Sequence, residues 1–142
     1  MYQQEGKYAV AENYAAEVLA TKRHTVGSDS PITIDAAAAL ASVYLSQLRF
    51  AESEPLAREA LNFCQAKHPN EWQRFSAEIL LGISLAGQNK DAEAEFLLLE
   101  GYQGMVARRD RIPAPTRYLT HLADEWIVRL RSEGLTQKGS RN

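Results

Sequence analysis

The amino-acid sequence predicts an all-α protein, an α-solenoid of about six helices that pack as antiparallel pairs. Apolar residues recur at three- and four-residue steps along most of the chain, which is the spacing of one helix face. Ala, Leu, Glu and Arg are abundant whereas Val, Ile and Thr are sparse, and this composition favours helices over strands. The helical patterns also repeat with a period near 41 residues, as in proteins built from stacked helical units.

Two independent sets of residues define this period. The first set places a large apolar residue before a small one at intervals of 41 residues, and its members are Leu40-Ala41, Leu81-Gly82 and Leu122-Ala123. The second set marks the start of a helix, with Tyr8, Phe50 and Asp91 at intervals of 42 and 41 residues. A glycine inside a helix costs about 1 kcal/mol relative to alanine. Gly82 is therefore predicted to lie where two helices approach each other closely.

The period divides a single domain, residues 1–134, into four units. They are a half repeat (1–26), a first full repeat (31–68), a second full repeat (70–112) and a terminal helix (114–134). In the half repeat, residues 1–5 resemble the last turn of a preceding helix, and Gly6-Lys7-Tyr8 resembles a turn into a helix over residues 8–24. The sequence thus predicts a chain that begins inside a repeat. The apolar side of its first helix would be uncovered, and we expect it to pair with a second copy of the chain through Tyr8, Ala11, Ala15 and Leu19.

The full repeats show helix start signals and apolar faces. Ser30-Pro31 places a capping hydroxyl before a proline at the first helical position. Asn70, with Gln73 three residues later, is similar to a capping box. The apolar faces that follow these signals include Ile34, Ala37, Ala41, Ala57, Ala60, Leu61 and Cys64 in the first repeat, and Phe75, Ile79, Gly82, Leu85, Ala94, Leu98 and Met105 in the second.

The terminal helix is bounded by proline and glycine. Pro113 and Pro115 mark the boundary before it, and Gly134 is predicted to end it. Residues 135–142 contain too few apolar side chains for a further packed helix, so a polar tail is expected there.

These features resemble the tetratricopeptide repeat, in particular the longer variant of kinesin light chains, which matches the 42-residue spacing seen here. The segments that carry the resemblance are GKYAVAENYAAEVLA and LRFAESEPLAREAL. The stretches AEAEFLLLEGYQGMVARRDRIP and LADEWIVRLRSEG are similar to the C-terminal ends of bacterial repeat arrays, some of them attached to serine/threonine kinases. The chain departs from the family at Leu48, where a glycine is usual, and at Asp91, where an aromatic residue is usual.

The resemblance implies a right-handed superhelix whose first helices line a concave groove for a protein or peptide partner. With Ala41, Gly82 and Ala123 as the register, the residues assigned to this partner-binding groove are Asp35, Ala38, Ser42, Leu45, Ser76, Ile79, Ile83, Arg117, His121 and Asp124. Most of them are small or apolar, whereas family members that clamp a carboxylate use Asn, Lys or Arg there. We therefore expect an apolar helix or strand as the ligand, or no peptide ligand at all.

The sequence offers no catalytic, metal or cofactor site. His24 and His68 stand alone, and His121 has no second histidine at ligand spacing. The carboxylates of Glu52 and Glu54 are two residues apart, which places them on different helix faces. Cys64 is the only cysteine and is expected to be a small buried hydrophobe. These observations predict a chain without enzyme activity or cofactor.

Charge and hydropathy limit the partners further. The formal net charge of −2 gives no electrostatic basis for binding nucleic acid. The sequence shows neither a signal peptide nor an apolar run long enough for a membrane span, so we expect a soluble, cytoplasmic chain without membrane contact. Arg108, Arg109 and Arg111 close a helix, where cations favour the negative end of the helix dipole. The alternative for these arginines, with Arg117, is a site for an anion or an acidic partner.

Two functional interpretations follow. The first is a non-catalytic protein–protein interaction module that binds a partner segment on its concave face. The alternative is a spacer and self-association segment of a larger signalling protein, such as a serine/threonine kinase.

Overall fold

The computed structural model describes residues 2–140 and the side chains of residues 6–134. Within that range it contains six α-helices and no strand, so the predicted all-α class is confirmed. The helices are α1 (Tyr2–Thr25), α2 (Pro31–Ser46), α3 (Phe50–Lys67), α4 (Trp72–Ala86), α5 (Asp91–Ala107) and α6 (Tyr118–Ser140). Two short 3₁₀ helices, Arg109–Arg111 and Ala114–Thr116, connect α5 to α6.

The helices stack in chain order. Each helix packs against the next one, while α2 also lies beside α4 and α4 beside α6. The helices α2, α4 and α6 therefore form one layer, which α1, α3 and α5 flank. This arrangement is that of a solenoid, in which each unit contacts mainly its neighbours.

The core follows the register of the repeats. Ala41, Gly82 and Ala123 are all buried at the same point of their units. A main cluster of apolar side chains joins α2 to α6, and a smaller one around Leu19 and Leu40 joins α1 to α2. α4 is the central helix, and every residue from 75 to 86 is buried because neighbours cover it on several sides.

Glycines allow α4 and α5 to approach each other closely. A Cβ atom added at Gly82 would lie 2.7 Å from Cγ of Leu98. A Cβ added at Gly101 would lie 2.7 Å from Cγ1 of Ile79 and 2.9 Å from the carbonyl oxygen of Phe75. Real Cβ atoms are not found at such distances, because they lie well inside van der Waals contact. The prediction that Gly82 marks a close helix contact is therefore confirmed.

The first helix corrects the prediction of a turn at Gly6. α1 is continuous from Tyr2 to Thr25, whereas the sequence predicted the end of one helix and the start of another within residues 1–8. Good helix formers flank Gly6, and a Cβ placed there would meet nothing within 4 Å. The local sequence thus allows the helix to continue through Gly6. Met1 lies outside the described residues.

Helix ends were predicted less well than helix faces. α2 begins at Pro31 after Ser30, as predicted, although the Ser30 side chain makes no capping hydrogen bond. α4 begins after Glu71, so the prediction that Asn70 caps this helix is wrong. The carbonyl oxygen of Asn70 instead accepts a hydrogen bond of 2.6 Å from Nε of Arg108. This contact joins the α3–α4 loop to the end of α5.

The last helix is longer than predicted. α6 extends past Gly134 to Ser140, so the residues assigned to a polar tail are helical as far as the structure describes them. Gly134 does not have the positive φ of a helix-ending glycine. Continuing a formed helix fixes one residue per added hydrogen bond, so polar residues can extend it at low cost. Residues 141 and 142 lie outside the described range.

Candidate partner-binding groove

The first candidate site is a cavity of about 550 Å³ between α2, α4 and the segment that leads into α6. We call it the groove cavity. Its walls come from α2 (Asp35, Ala38, Ala39, Ser42), α3 (Ala60, Cys64), α4 (Trp72, Gln73, Ser76, Leu80) and the α6 approach (Pro113, Pro115, Tyr118, Leu119). The space exists because α2 and α4 present small side chains to each other where they lie side by side.

Four of the ten residues assigned to the groove from the repeat register line the groove cavity. They are Asp35, Ala38 and Ser42 on α2, and Ser76 on α4. These four residues of α2 and α4 therefore face the same cavity.

Three predicted groove residues lie in the core instead. Ile79 is fully buried and Ile83 is 3% exposed, and Ile79 packs over Gly101 of α5. Leu45 is half-buried and packs against the main core cluster. The prediction placed them on the surface because it assumed the same exposure for α2, α4 and α6. The central position of α4 buries residues 75–86, so little of this helix is exposed. A partner therefore cannot contact Ile79 unless α4 and α5 separate.

The remaining three predicted residues line a second, smaller cavity. Arg117, His121 and Asp124 surround a space of about 290 Å³ together with Tyr102, Arg109, Ile112 and Thr120. Nε2 of His121 lies 3.0 Å from Oε1 of Glu125, and the His121 side chain is 77% exposed. The single groove expected from the sequence is thus divided into two cavities with different linings.

The residues that line the groove cavity include few side chains suited to catalysis. Asp35 is its only charged lining residue, and burial raises the pKa of that carboxyl. Cys64 is 3% exposed, and burial followed by the charges of Asp35 and Glu71 raises the pKa of its thiol to about 11. A thiol with this pKa is protonated at neutral pH and is a poor nucleophile. The expectation that Cys64 is a small buried hydrophobe is confirmed.

Sequence reasoning missed three polar or aromatic residues of the groove cavity: Trp72, Gln73 and Tyr118. They stand at the starts of α4 and α6, outside the helix-face positions used for the register. Oε1 of Gln73 is buried and has no hydrogen-bond partner. The signal that could have found them is the position of each one directly after a loop with proline, where a helix start faces its neighbour.

The arginines after α5 have different surroundings. Arg108 donates hydrogen bonds to the carbonyl oxygens of Asn70 and Gly104, and its guanidinium lies 4.4 Å from the centre of the Phe75 ring. These contacts give Arg108 a structural role at the α4–α5 junction. Arg109 instead lines the smaller cavity.

A buried carboxylate lies away from both cavities. Glu78 is fully buried on α4, and its Oε1 accepts a hydrogen bond of 3.0 Å from Nε of Arg74. Nη2 of Arg74 also contacts Glu100 at 3.3 Å, whereas Oε2 of Glu78 has no partner. Burial, followed by the nearby charge of Glu100, raises the pKa of Glu78 to about 7. Because no described cavity reaches Glu78, we assign it to the α4–α5 interface and not to a site.

Among residues 6–134, whose side chains the structure describes, no three His, Cys, Asp or Glu side chains are arranged to hold a metal ion. Among the described helices, none combines the length and apolar character that crossing a membrane requires.

Comparison with known proteins gives a family match for the N-terminal part of the chain. Residues 1–66 match the family model described as tetratricopeptide repeat. Proteins with these repeats generally use them for protein–protein interaction, and the repeats typically serve as non-catalytic scaffolds. No curated protein matches the sequence.

Proposed function

Residues 1–66 match the tetratricopeptide repeat model, and from this similarity we propose that the chain is a non-catalytic module that binds a segment of a partner protein in the groove cavity. The observation that carries this proposal is the cavity itself, about 550 Å³ between neighbouring helices of the α2–α4–α6 layer. Its volume is within the range of pockets that bind ligands in proteins.

The lining supports a peptide segment as the ligand. Small side chains at Ala38, Ala39 and Ser76 leave room for side chains of a partner. Trp72 and Tyr118 stand in the same wall, and aromatic residues of this kind often anchor protein interfaces. The ionisable side chains that line the cavity are Asp35, Tyr118 and Cys64, and burial raises the pKa of the Cys64 thiol to about 11, so the lining offers no histidine or second carboxylate for acid–base chemistry.

A substitution that fills the groove cavity tests this proposal. Ala39 is exposed and lines the cavity, so Ala39→Trp should occupy the space without disturbing the core. Ala92→Trp is the matched control, because Ala92 is equally exposed but lies on α5, away from the cavity. The probe is a set of 12-residue peptides selected from a random phage-displayed library on the immobilised wild-type chain.

We expect the selected peptides to bind Ala39→Trp at least about tenfold more weakly than wild type, a loss of about 1.4 kcal/mol. Their affinity for Ala92→Trp should be unchanged. Equal affinity for Ala39→Trp and wild type would reject the groove cavity as the binding site.

We propose self-association through α1 as a second candidate function. Val10 is 70% exposed and Tyr14 is 71% exposed, and both lie on one apolar strip of α1 with Ala11. From the sequence, the residues expected to contact the second copy were Tyr8, Ala11, Ala15 and Leu19, and the structure places two of these residues elsewhere. Leu19 is buried against α2 and Ala15 packs beside it, so these two residues are unavailable to a second copy.

Sedimentation velocity tests the self-association. Wild type should show a concentration-dependent dimer, and Tyr14→Lys should reduce it because the charge would lie in the apolar contact. A wild-type chain that stays monomeric at the highest concentration would rule out this second function and leave the groove proposal intact.

A further inference from the structure

The groove cavity has a one-sided set of charges. Among its lining residues, Asp35 is the only one with a formal charge, and no Lys, Arg or His side chain contributes to the walls. Arg74 and Arg117 adjoin lining residues in the sequence, but Arg74 pairs with Glu78 and Glu100, and Nε of Arg117 donates to the carbonyl oxygen of Ile112 at 3.1 Å. The walls of the groove cavity therefore carry a carboxylate and no cationic side chain.

Asp35 has no charge partner within the described part of the chain. No ion pair or hydrogen bond of residues 6–134 includes its carboxylate. The charge of Asp35 is nevertheless felt in the cavity wall, because it contributes, together with the charge of Glu71, to the raised pKa of the Cys64 thiol. A ligand cation in the cavity would thus meet a carboxylate that is free to pair.

Gln73 provides a second, independent observation. Its Oε1 atom is buried and unpartnered in a wall of the same cavity. A buried acceptor without a donor is unfavourable, and a ligand that brings an N–H group would satisfy it once the Gln73 side chain turns Oε1 towards the cavity. Lysine and arginine side chains carry several donors and no acceptor, so they match both the Asp35 carboxylate and the Gln73 oxygen.

From these observations, and resting on the function proposed above, we infer that the groove cavity selects a partner segment in which a lysine or arginine adjoins an apolar side chain. The apolar side chain fills the space over Ala38, Ala39 and Leu80, and the cationic group pairs with Asp35. The Trp72 and Tyr118 rings add faces that attract cations. An acidic segment would instead bring like charge to Asp35 and would leave Gln73 without a donor.

Charge-swapped peptides test this inference. The probes are the library peptides whose binding Ala39→Trp abolishes, each resynthesised with its basic residues changed to glutamine or to glutamate. Binding is measured by fluorescence anisotropy to wild type, Asp35→Asn, Asp35→Lys and the control Asp110→Asn, which changes an exposed carboxylate that lines neither cavity.

We expect the selected peptides to be enriched in Lys or Arg relative to the starting library. The change to glutamine should weaken binding to wild type about fivefold, as for a partly exposed ion pair. Asp35→Asn should remove this difference, Asp35→Lys should reverse it in favour of the glutamate peptide, and Asp110→Asn should behave as wild type.

Two outcomes would overturn the inference in distinguishable ways. Peptides that need an open groove cavity but lack basic residues, or that bind Asp35→Asn as well as wild type, would refute the charge selection and leave the proposed function standing. If no selected peptide were sensitive to Ala39→Trp, the proposed function would fail and the inference would fail with it. Circular dichroism spectra of the four proteins establish that each variant remains helical.

Discussion

Leu48 and Asn89 adopt the same left-handed backbone conformation, with φ angles of 60° and 63°, at equivalent points of successive repeats. Each follows a helix of the α2–α4–α6 layer and closes the same pattern of hydrogen bonds. The amide of Arg49 donates to the carbonyl oxygen of Tyr44 at 2.9 Å, and the amide of Lys90 donates to the carbonyl oxygen of Leu85 at 3.0 Å. Asparagine tolerates this conformation, whereas a leucine in it is strained.

The first prediction is that Leu48→Asn stabilises the protein. The Leu48 side chain is 70% exposed, so its replacement removes little buried apolar surface. Relief of the left-handed strain should raise the free energy of unfolding by about 1 kcal/mol. Urea unfolding measures the change. The reciprocal variant Asn89→Leu should lower the free energy of unfolding by a similar amount, and a loss of stability in both variants would contradict the strain argument.

The second prediction concerns the close approach of α4 and α5 at Gly101. Gly101→Ala would place a Cβ 2.9 Å from the Phe75 carbonyl oxygen, which belongs to the backbone and cannot rotate away. We expect a loss of about 1–3 kcal/mol in the free energy of unfolding, as for overpacked interiors. Thermal and urea unfolding both report it.

Gly134→Ala is the matched control for Gly101→Ala. Gly134 lies within α6, and a Cβ there would meet nothing within 4 Å. Alanine is the better helix former by about 1 kcal/mol, so this variant should be as stable as wild type or more stable. A gain of stability at both glycines would show that helix propensity, and not packing, decides their effect.

The third prediction is a pH dependence of stability that originates at Glu78. Its pKa is raised from 4.5 to about 7 in the folded chain, so the folded state binds the proton more tightly than the unfolded state. The resulting stabilisation is complete below about pH 4.5 and is lost as the pH rises through 7. Arg74 and Glu100 are the charged groups that face Glu78, and Arg74 opposes the shift.

Glu78→Gln removes the titration while keeping the shape of the side chain. In urea unfolding between pH 5 and 8, we expect the free energy of unfolding of the variant to fall less with pH than that of wild type. Glu93→Gln is the control, because Glu93 is exposed on α5. The lowered pKa values of Glu52 and Glu54 act below pH 4.5 and do not interfere. An unchanged pH slope in Glu78→Gln would place the titration elsewhere.

Local patterns predicted the fold well, whereas tertiary context decided the site. The positions of Ala41, Gly82 and Ala123 follow from the period alone, because every unit packs in the same way. The burial of Ile79 does not follow from the period, because it depends on α4 having neighbours on both sides. Similarly, the register gives Gly6 and the turn residue Leu48 equivalent positions, yet Gly6 lies inside the continuous helix α1, whereas Leu48 lies in the turn between α2 and α3.

The sequence also gave no indication that the predicted groove is divided into two cavities. The register treats Asp35 and Arg117 as members of one surface, but the two residues line separate cavities. The α5–α6 connection, with its two 3₁₀ helices, is longer than the turns between the other helices. It places Pro113 and Pro115 in the groove cavity, and this path could not be read from helix periodicity.

The fourth prediction concerns an aromatic contact between repeats. The rings of Phe50 on α3 and Trp126 on α6 pack edge to face with their centres 5.9 Å apart. Phe50 also fills the space that a side chain at Gly87 would need. Asp91 holds the position equivalent to Phe50 in the next repeat and is exposed, so this contact is not repeated there. Phe50 therefore joins the first full repeat to the terminal helix.

A double-mutant cycle with Phe50→Leu and Trp126→Leu measures this contact. Each single variant should lower the free energy of unfolding, and the coupling energy should be about 1 kcal/mol, as for edge-to-face aromatic pairs. Phe96 is 65% exposed on α5, and Phe96→Leu in place of Trp126→Leu gives the control cycle, for which additivity is expected. If the Phe50–Trp126 cycle were also additive, the rings would stabilise the chain only through their separate burial, and the terminal helix would owe its position to the contacts of α6 with α4 and α5.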